Sequence, residues 1–454
     1  MAGRLTLHAF TALGWLDGQF GLWRHPELVP PRAVPDLQWW SDLARTAERG
    51  CMDSMFFADA MGMGGFTADD REAEVRGGRM ILWDPAVTIS GLAAATEHLG
   101  FLFTSSILQD HPFTFARRAS TLDQLTGGRV GWNMVTSYSP NAARNLGYAD
   151  LPSREERYAW AEEYADVVYR LWEGSWEDDA LLADVASGVY VDPAKVHPID
   201  FAGDRYRVQG PHLTHPTPQR TPLLVQAGGS PAGREYAARH AEIQFIAETD
   251  ERAMAETISD VRRLAVRSGR RPDDISFVVS SRFVVGSTEA EARRKAAELF
   301  ERADFPDLVA HLSSAIGKDF SGLSPDDPVD LLNDPAGSGG MSGSLQALVD
   351  GLPKDRVPTL REVVRASRNR GRVVGTPEQI ADVLQRWHEA GVGGVTVSME
   401  LRPTSLVEFV EHVIPVLQDR GLAQREYAPG TLREKLMGYG DRLPDRHPAA
   451  RHRR

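Results

Sequence analysis

Short apolar runs alternate with longer segments of helical period along the whole 454-residue chain, the pattern of a parallel sheet with crossover helices. Eight runs read as strands: 5–13, 53–58, 99–107, 129–137, 222–227, 242–247, 275–285 and 394–399. Helical period predicts helices over 36–49, 85–96, 113–125, 154–173, 231–240, 251–268, 289–303, 377–390 and 405–420. In the first of these, Leu37, Trp40, Leu43, Ala44 and Ala47 share one face. Asp36, Asp84, Ser153 and Thr376 stand where N-caps belong, and Pro85 and Pro377 occupy the following position, where a missing N–H costs nothing.

Eight strands alternating with helices predict an α/β fold, a (β/α)8 TIM barrel. A doubly wound open sheet is the alternative. It calls for a G-x-G-x-x-G turn after the first strand, and Leu13-Gly14-Trp15-Leu16-Asp17-Gly18 does not supply one. Three connections are too long for ordinary loops, so the reading is a single barrel domain over 1–454 with insertions at 14–35, 175–221 and 304–358. The glycine- and serine-rich third insertion, with Gly337-Ser338-Gly339-Gly340, reads as an active-site lid.

Composition narrows the class. A net charge of −12 argues against nucleic acid as a partner, because such affinity comes mainly from neutralising phosphates. The basic segment Arg446 to Arg454 reads as a solvated tail. Cys51, the single cysteine, excludes an internal disulfide and a cysteine-rich zinc site, and reads as a small buried thiol. No apolar run reaches membrane-spanning length and residues 1–10 lack a signal-peptide core, so a cytoplasmic location without membrane association is expected.

In a (β/α)8 barrel the site is built at the carboxyl ends of the strands, and those ends are small and polar here. They offer Asp59 after the second strand, Thr104 and Ser105 in the third, and Asn133, Thr136, Ser137 and Tyr138 in and after the fourth. Ala227, Gly228, Gly229 and Ser230 follow the fifth, and Ser398 lies near the eighth. The fifth end is the best anion site: Gly228 and Gly229 permit close backbone approach, and Ser230 opens a helix whose free N–H groups favour a phosphate. A capped turn without a ligand is the plainer alternative. His25, in the aromatic and cationic cluster Leu22-Trp23-Arg24-His25-Pro26, could donate to an anionic intermediate or simply pack. His212 and His215 carry metal spacing, but Pro211 and Pro216 oppose the helix that would align them, so no metal is expected.

Gly128-Arg129-Val130-Gly131-Trp132-Asn133-Met134-Val135-Thr136-Ser137 resembles the G-R-[IV]-x-W-N-[VM]-V-T-S signature of bacterial-luciferase-like flavin monooxygenases. Phe56-Phe57-Ala58-Asp59, Glu156-Arg157-Tyr158, Gln226-Ala227-Gly228-x-Ser230 and Gly430-Thr431-Leu432-Arg433-Glu434 are similar to motifs of the same family. They point to its nitrilotriacetate, dibenzothiophene-sulfone, pristinamycin synthase and long-chain alkane monooxygenase branch. The resemblance implies a barrel that takes FMNH2 from a separate NAD(P)H:flavin reductase and reacts it with O2 at flavin C4a. One oxygen atom then passes to a small organic substrate, at sulfur, nitrogen or activated carbon.

It further implies flavin contacts at Asp59, Asn133, Thr136 or Ser137, Tyr158, Gly229 and Ser230, with Tyr158 and the Ser230 turn at the phosphate. His25, Asn133 and Tyr138 become the catalytic candidates, and a homodimer or homotetramer is expected. An F420-dependent oxidoreductase of the same superfamily and a non-catalytic flavin-binding barrel are the alternatives. Where the alkane enzyme carries Cys and His after the first strand, this chain has Gly14 and Asp17, and Tyr138 replaces a further His. These departures argue against an alkane substrate.

Overall fold

The computed structural model describes residues 3–14, 20–28, 35–64, 67–78, 81–331, 348 and 352–454. Eight parallel strands close into a barrel: Thr6–Ala12, Ser54–Ala58, Gly100–Ser106, Val130–Val135, Leu223–Gln226, Ile243–Ile246, Ser276–Val285 and Gly394–Ser398. They are called the first to eighth strands below. The first pairs with both the second and the eighth, and the sixth with the seventh, so the ring has no edge. All eight fall inside the runs expected from the sequence.

The N-caps follow the expected chemistry. Asp36, Asp84, Ser153 and Thr376 each accept a backbone N–H from the first turn of their helix, and Ser153 and Thr376 form full capping boxes. A ninth strand, Arg372–Gly375, lies parallel to the outer half of the long seventh strand, from the pair Arg282↔Arg372 onward. Only Val373 and Val374, between Arg372 and Gly375, are apolar there, too few to read as a strand.

Strand alternation divides the core in two. In the fourth strand Val130, Trp132 and Met134 face the helices, where Trp132 meets Phe115 at 4.5 Å between ring centroids. Gly131 and Asn133 therefore face the barrel axis. A side chain at Gly131 would come within 2.6 Å of Leu102, so close strand packing requires the glycine. The interior holds Phe10, Phe56 and Phe245, with Phe56 edge-on to Phe10 at 5.1 Å and stacked on Phe245 at 4.7 Å. Below them the helix Leu432–Met437 closes the amino-terminal end with Leu432, Leu436 and Met437. The deep aromatic layer leaves only the carboxyl-terminal end open for a ligand.

The segment from 446 onward is not a solvated tail. Arg446 pairs with Asp274 at 2.7 Å, Arg453 with Glu173 at 2.9 Å and Arg451 with Asp166 at 2.6 Å. Asp274 and Glu173 are buried carboxylates, which must be paired to stay charged, and these arginines pair them. Cys51 also departs from expectation: it is half-exposed, at φ 53 after the C-cap of helix Leu37–Arg49.

Of the three insertions, 175–221 carries two short hairpins, Leu181–Asp184 with Val189–Val191 and Phe201–Ala202 with Arg207–Val208. Within 304–358 the helix Phe305–Ile316 packs with Phe20, Phe300, Phe320 and Leu360 as a separate small core. Asp17 and the glycine-rich part of the third insertion lie outside the described residues.

Candidate active site at the carboxyl end of the barrel

Neighbouring strands bring together most of the residues singled out in the sequence. Thr104 and Asn133 are register partners on the third and fourth strands, and the Asn133 amide nitrogen donates to the Thr104 hydroxyl at 3.0 Å. Asn133 is 3% exposed, yet its Oδ1 has no hydrogen-bond partner. An amide oxygen buried without a partner costs about 1–3 kcal/mol, a cost that a ligand N–H at the barrel mouth would remove. Ser105, by strand alternation, faces the other way, toward Gln109 at 3.5 Å, and its carbonyl takes the Trp132 indole N–H.

Thr136 and Ser137 follow the fourth strand half-buried, with Ser137 in the left-handed region at φ 62. Tyr138 stands 76% exposed beyond them. Asp59, at the end of the second strand, is half-buried and accepts the N–H of Ala60 at 2.9 Å. Burial pushes its pKa up to about 6, with the Ala60 N–H opposing and the Asp84 carboxylate adding to the rise.

After the fifth strand, Gly228 and Gly229 lead into the helix Pro231–His240, whose N-cap Ser230 accepts the N–H of Gly233 at 3.2 Å. Gly228 is closely packed: a Cβ there would lie 2.3 Å from Gln226 Nε2 and 2.4 Å from the Tyr158 hydroxyl, so a larger residue would displace both groups. At Gly229 a Cβ would meet nothing, so the backbone lies open on that side, and Ala227 is exposed beside it. Tyr158, from helix Arg154–Tyr169, sets its hydroxyl into this turn and accepts from Gln226 at 3.4 Å. The result is a hydroxyl, a serine cap and open backbone at a helix N-terminus, a combination suited to a phosphate. Arg234 donates its Nε–H to the Gly229 carbonyl at 3.1 Å and directs its terminal nitrogens to Glu248, Asp260 and Thr257.

His25 is not brought into this group. It is buried, accepts the N–H of Glu27 at 3.3 Å, and lines a flank cleft with Phe283, Leu299, Leu401 and Glu408. His212 bonds Ser120 and Thr214, and no cluster of three potential metal ligands occurs among the described residues.

Across the mouth, Ser398 of the strand-end reading is joined by Ser280 and Thr396, which that reading passed over. Ser280 and Thr396 are register partners joined by a 2.9 Å hydrogen bond, and Ser398 lies 3.5 Å from Ser280. The signal for Thr396 was present in its alternation with Val395 and Val397, whereas Ser281 beside Ser280 blurs the alternation of the seventh strand.

A model of the family described as luciferase-like monooxygenase matches residues 18–394. The chain is 38% identical over 459 residues to the dimethyl-sulfide monooxygenase of Hyphomicrobium sulfonivorans, covering 100% of this chain and 94% of that protein. It is 40% identical over 436 residues to the long-chain alkane monooxygenase of Geobacillus thermodenitrificans, covering 95% and 94%. A riboflavin lyase crystallised with modified FMN and riboflavin superposes with a TM-score of 0.88 at 33% identity, over 100% of both chains. An F420-dependent secondary alcohol dehydrogenase shares the fold alone, at 15% identity and a TM-score of 0.58.

Proposed function

The chain belongs to the luciferase-like monooxygenases, and from that premise we propose that it uses reduced FMN and O2 to oxygenate a small organosulfur compound. It is a two-component flavin-dependent monooxygenase. The observation that carries the flavin reading is the unpartnered Asn133 Oδ1, buried one strand away from the open Gly229–Ser230 turn. A ring with N–H edges and a phosphate tail fits that pairing of acceptor and anion site.

When bound, reduced FMN supplies the electrons that activate O2 for transfer of one oxygen atom to the substrate. The residues do the rest. Tyr158, Ser230 and the backbone of Gly229 would hold the phosphate, while Asn133 and Asp59 would accept ring N–H groups. Phe10, Phe56 and Phe245 keep water from below, and helix Phe305–Ile316 is read as part of the cover above. A cytosolic address and a separate flavin reductase complete the reading.

Sulfur is favoured over an alkane carbon by the dimethyl-sulfide relative and by the backbone at Gly14. This residue sits at φ 146, and a Cβ there would lie 1.7 Å from the Ile81 carbonyl oxygen. The fold thus excludes a cysteine at position 14. Gly14→Cys is expected to lower the unfolding free energy by about 2 kcal/mol or more without creating alkane oxidation. Denaturant titration and gas chromatography with hexadecane check both halves.

Asp59 offers a pH test. As its carboxylate is protonated below about pH 6, it loses the charge that strengthens its acceptance of a ring N–H, so FMN affinity should fall as pH drops through 6. The second pKa of the FMN phosphate is also about 6, so the readout is the difference between wild type and Asp59→Asn. We expect a three- to tenfold steeper fall from pH 7 to pH 5 in the wild type by fluorescence titration. Equal profiles would remove Asp59 from the flavin site.

The function itself is tested with the protein, FMN, NADH, a flavin reductase and 18O2 against sulfides, sulfones, sulfonates, amines and alkanes. Mass spectrometry should find one 18O in the product of a sulfur compound. Oxygen consumption no different from that of reductase and FMN alone, with no labelled product, would refute it.

A further inference from the structure

The wall of the barrel mouth opposite Asn133 is built to donate. Thr396 gives its hydroxyl hydrogen to Ser280 at 2.9 Å, and Ser398 sits 3.5 Å from the same oxygen. Thr396 and Ser398 are buried, whereas Ser280 is exposed, one residue past the last pairing with the sixth strand at Val279 and on the same strand face as Val278 of the barrel interior. It therefore opens on the mouth. With its oxygen already accepting from Thr396, Ser280 can turn its own hydroxyl hydrogen to a ligand there in place of the long 3.5 Å contact with Ser398.

One step further out on the same face stands Arg282, in register with Ser398. Its guanidinium donates to the carbonyls of Arg368 and Arg370 at 2.8 Å and lies 3.6 Å from Glu400. Arg368 and Arg372 converge on the same buried Glu400, at 3.3 and 2.6 Å. Arg282, Arg368 and Arg372 thus group around Glu400 at the rim, beside the face that carries Ser280.

We propose that Ser280, held by Thr396 and Ser398, is a specificity-determining residue that receives an oxygen acceptor on the substrate, so that sulfones and sulfonates are preferred to plain thioethers. This deepens the organosulfur reading above and rests on it. The small hydroxyls leave space for the ligand, and the donor orients its oxygen.

The test uses binding as well as turnover. Saturation-transfer NMR with the FMN-loaded protein compares dimethyl sulfone, methanesulfonate and dimethyl sulfide in wild type, Ser280→Ala and Ser280→Thr. We expect the first two probes to bind at least fivefold more tightly than the sulfide. Ser280→Ala should remove that preference, Ser280→Thr should keep it, and FMN affinity should not change. Equal binding of all three probes, or no effect of Ser280→Ala, overturns the proposal. So does a loss of FMN affinity in Ser280→Ala with sulfone binding intact, since the hydroxyl would then serve the flavin. Failure of every sulfur compound to gain oxygen while the binding preference holds would instead count against the oxygenation reading alone.

Discussion

Replacing Arg433 with alanine is expected to lower the unfolding free energy by about 3–5 kcal/mol, the cost of stranding a buried charge. Arg433 and Glu242 are both fully buried beneath the barrel. The guanidinium reaches Glu242 at 2.7 and 3.0 Å and the carbonyls of Thr221, Pro222, Gln219 and Asp441 at 2.8 to 3.2 Å. Glu242 in turn accepts from the N–H of Leu224 and the hydroxyl of Tyr439. One side chain thus ties the plugging helix Leu432–Met437 to the starts of the fifth and sixth strands.

Arg433→Ala leaves the Glu242 carboxylate without its cation and several carbonyls without a donor. Chemical denaturation measures the loss. Arg433→Met with Glu242→Gln should recover part of it, because removing both charges avoids the stranded one. A loss below 1 kcal/mol in Arg433→Ala would mean that water enters and solvates Glu242.

The contrast between Arg433 and Asn133 explains what the sequence disclosed. Asn133 interrupts an apolar strand, and a polar residue facing a barrel axis near a strand end has few roles besides a site. Its strand, its facing and its place at the mouth followed from alternation alone. Arg433 lies in Gly430-Thr431-Leu432-Arg433-Glu434, a stretch that the family resemblance marks without giving Arg433 a role. Nothing local reveals that this stretch is inserted under a barrel whose strands begin some two hundred residues earlier. Arg446, Arg451 and Arg453 were misread for the same reason, since their partners, the buried Asp274 and Glu173 and the half-buried Asp166, are distant in sequence.

His25 shows the converse. Its aromatic and cationic neighbours resemble a site, but Leu22 and Leu28 on either side anchor it in a flank cluster with Val284, Leu299 and Leu401. Composition identified the cluster's polarity, and only tertiary packing assigned its position. Ser280 was overlooked because the reading followed strand ends, whereas the seventh strand runs on past the mouth to pair with Arg372–Gly375.

Stability should fall steeply between pH 6.5 and pH 4, and two buried histidines account for it. His8 is fully buried in the lower barrel between Thr6, at 2.9 Å, and Ser54, at 2.8 Å, and His212 is held by Ser120 at 2.9 Å. Burial lowers each pKa to about 4, with Asp53 and Arg4 making smaller, opposed contributions at His8. An unfolded histidine titrates near 6.5, so in this window the unfolded state binds more protons and stability declines as pH falls.

Each histidine contributes about 3 kcal/mol over the window, and His447, whose pKa burial also depresses, acts in the same sense. Asp59 acts in the opposite sense, since its raised pKa means that the folded state takes up a proton first as pH falls through 6. It offsets only part of the loss. Carboxylates held low by cations, such as Asp166 beside His452, Arg170 and Arg451, matter only below about pH 4, where their unfolded counterparts begin to protonate.

Against a typical stability of about 5–15 kcal/mol, the histidine contribution is large enough to bring acid unfolding well above the carboxylate range. Urea titrations at half-unit intervals from pH 7 to pH 4 should show the decline. His8→Gln with His212→Gln should flatten it, because glutamine keeps polar atoms for Thr6, Ser54 and Ser120 but takes up no proton. An unchanged slope in that double variant would assign the acid sensitivity to other groups.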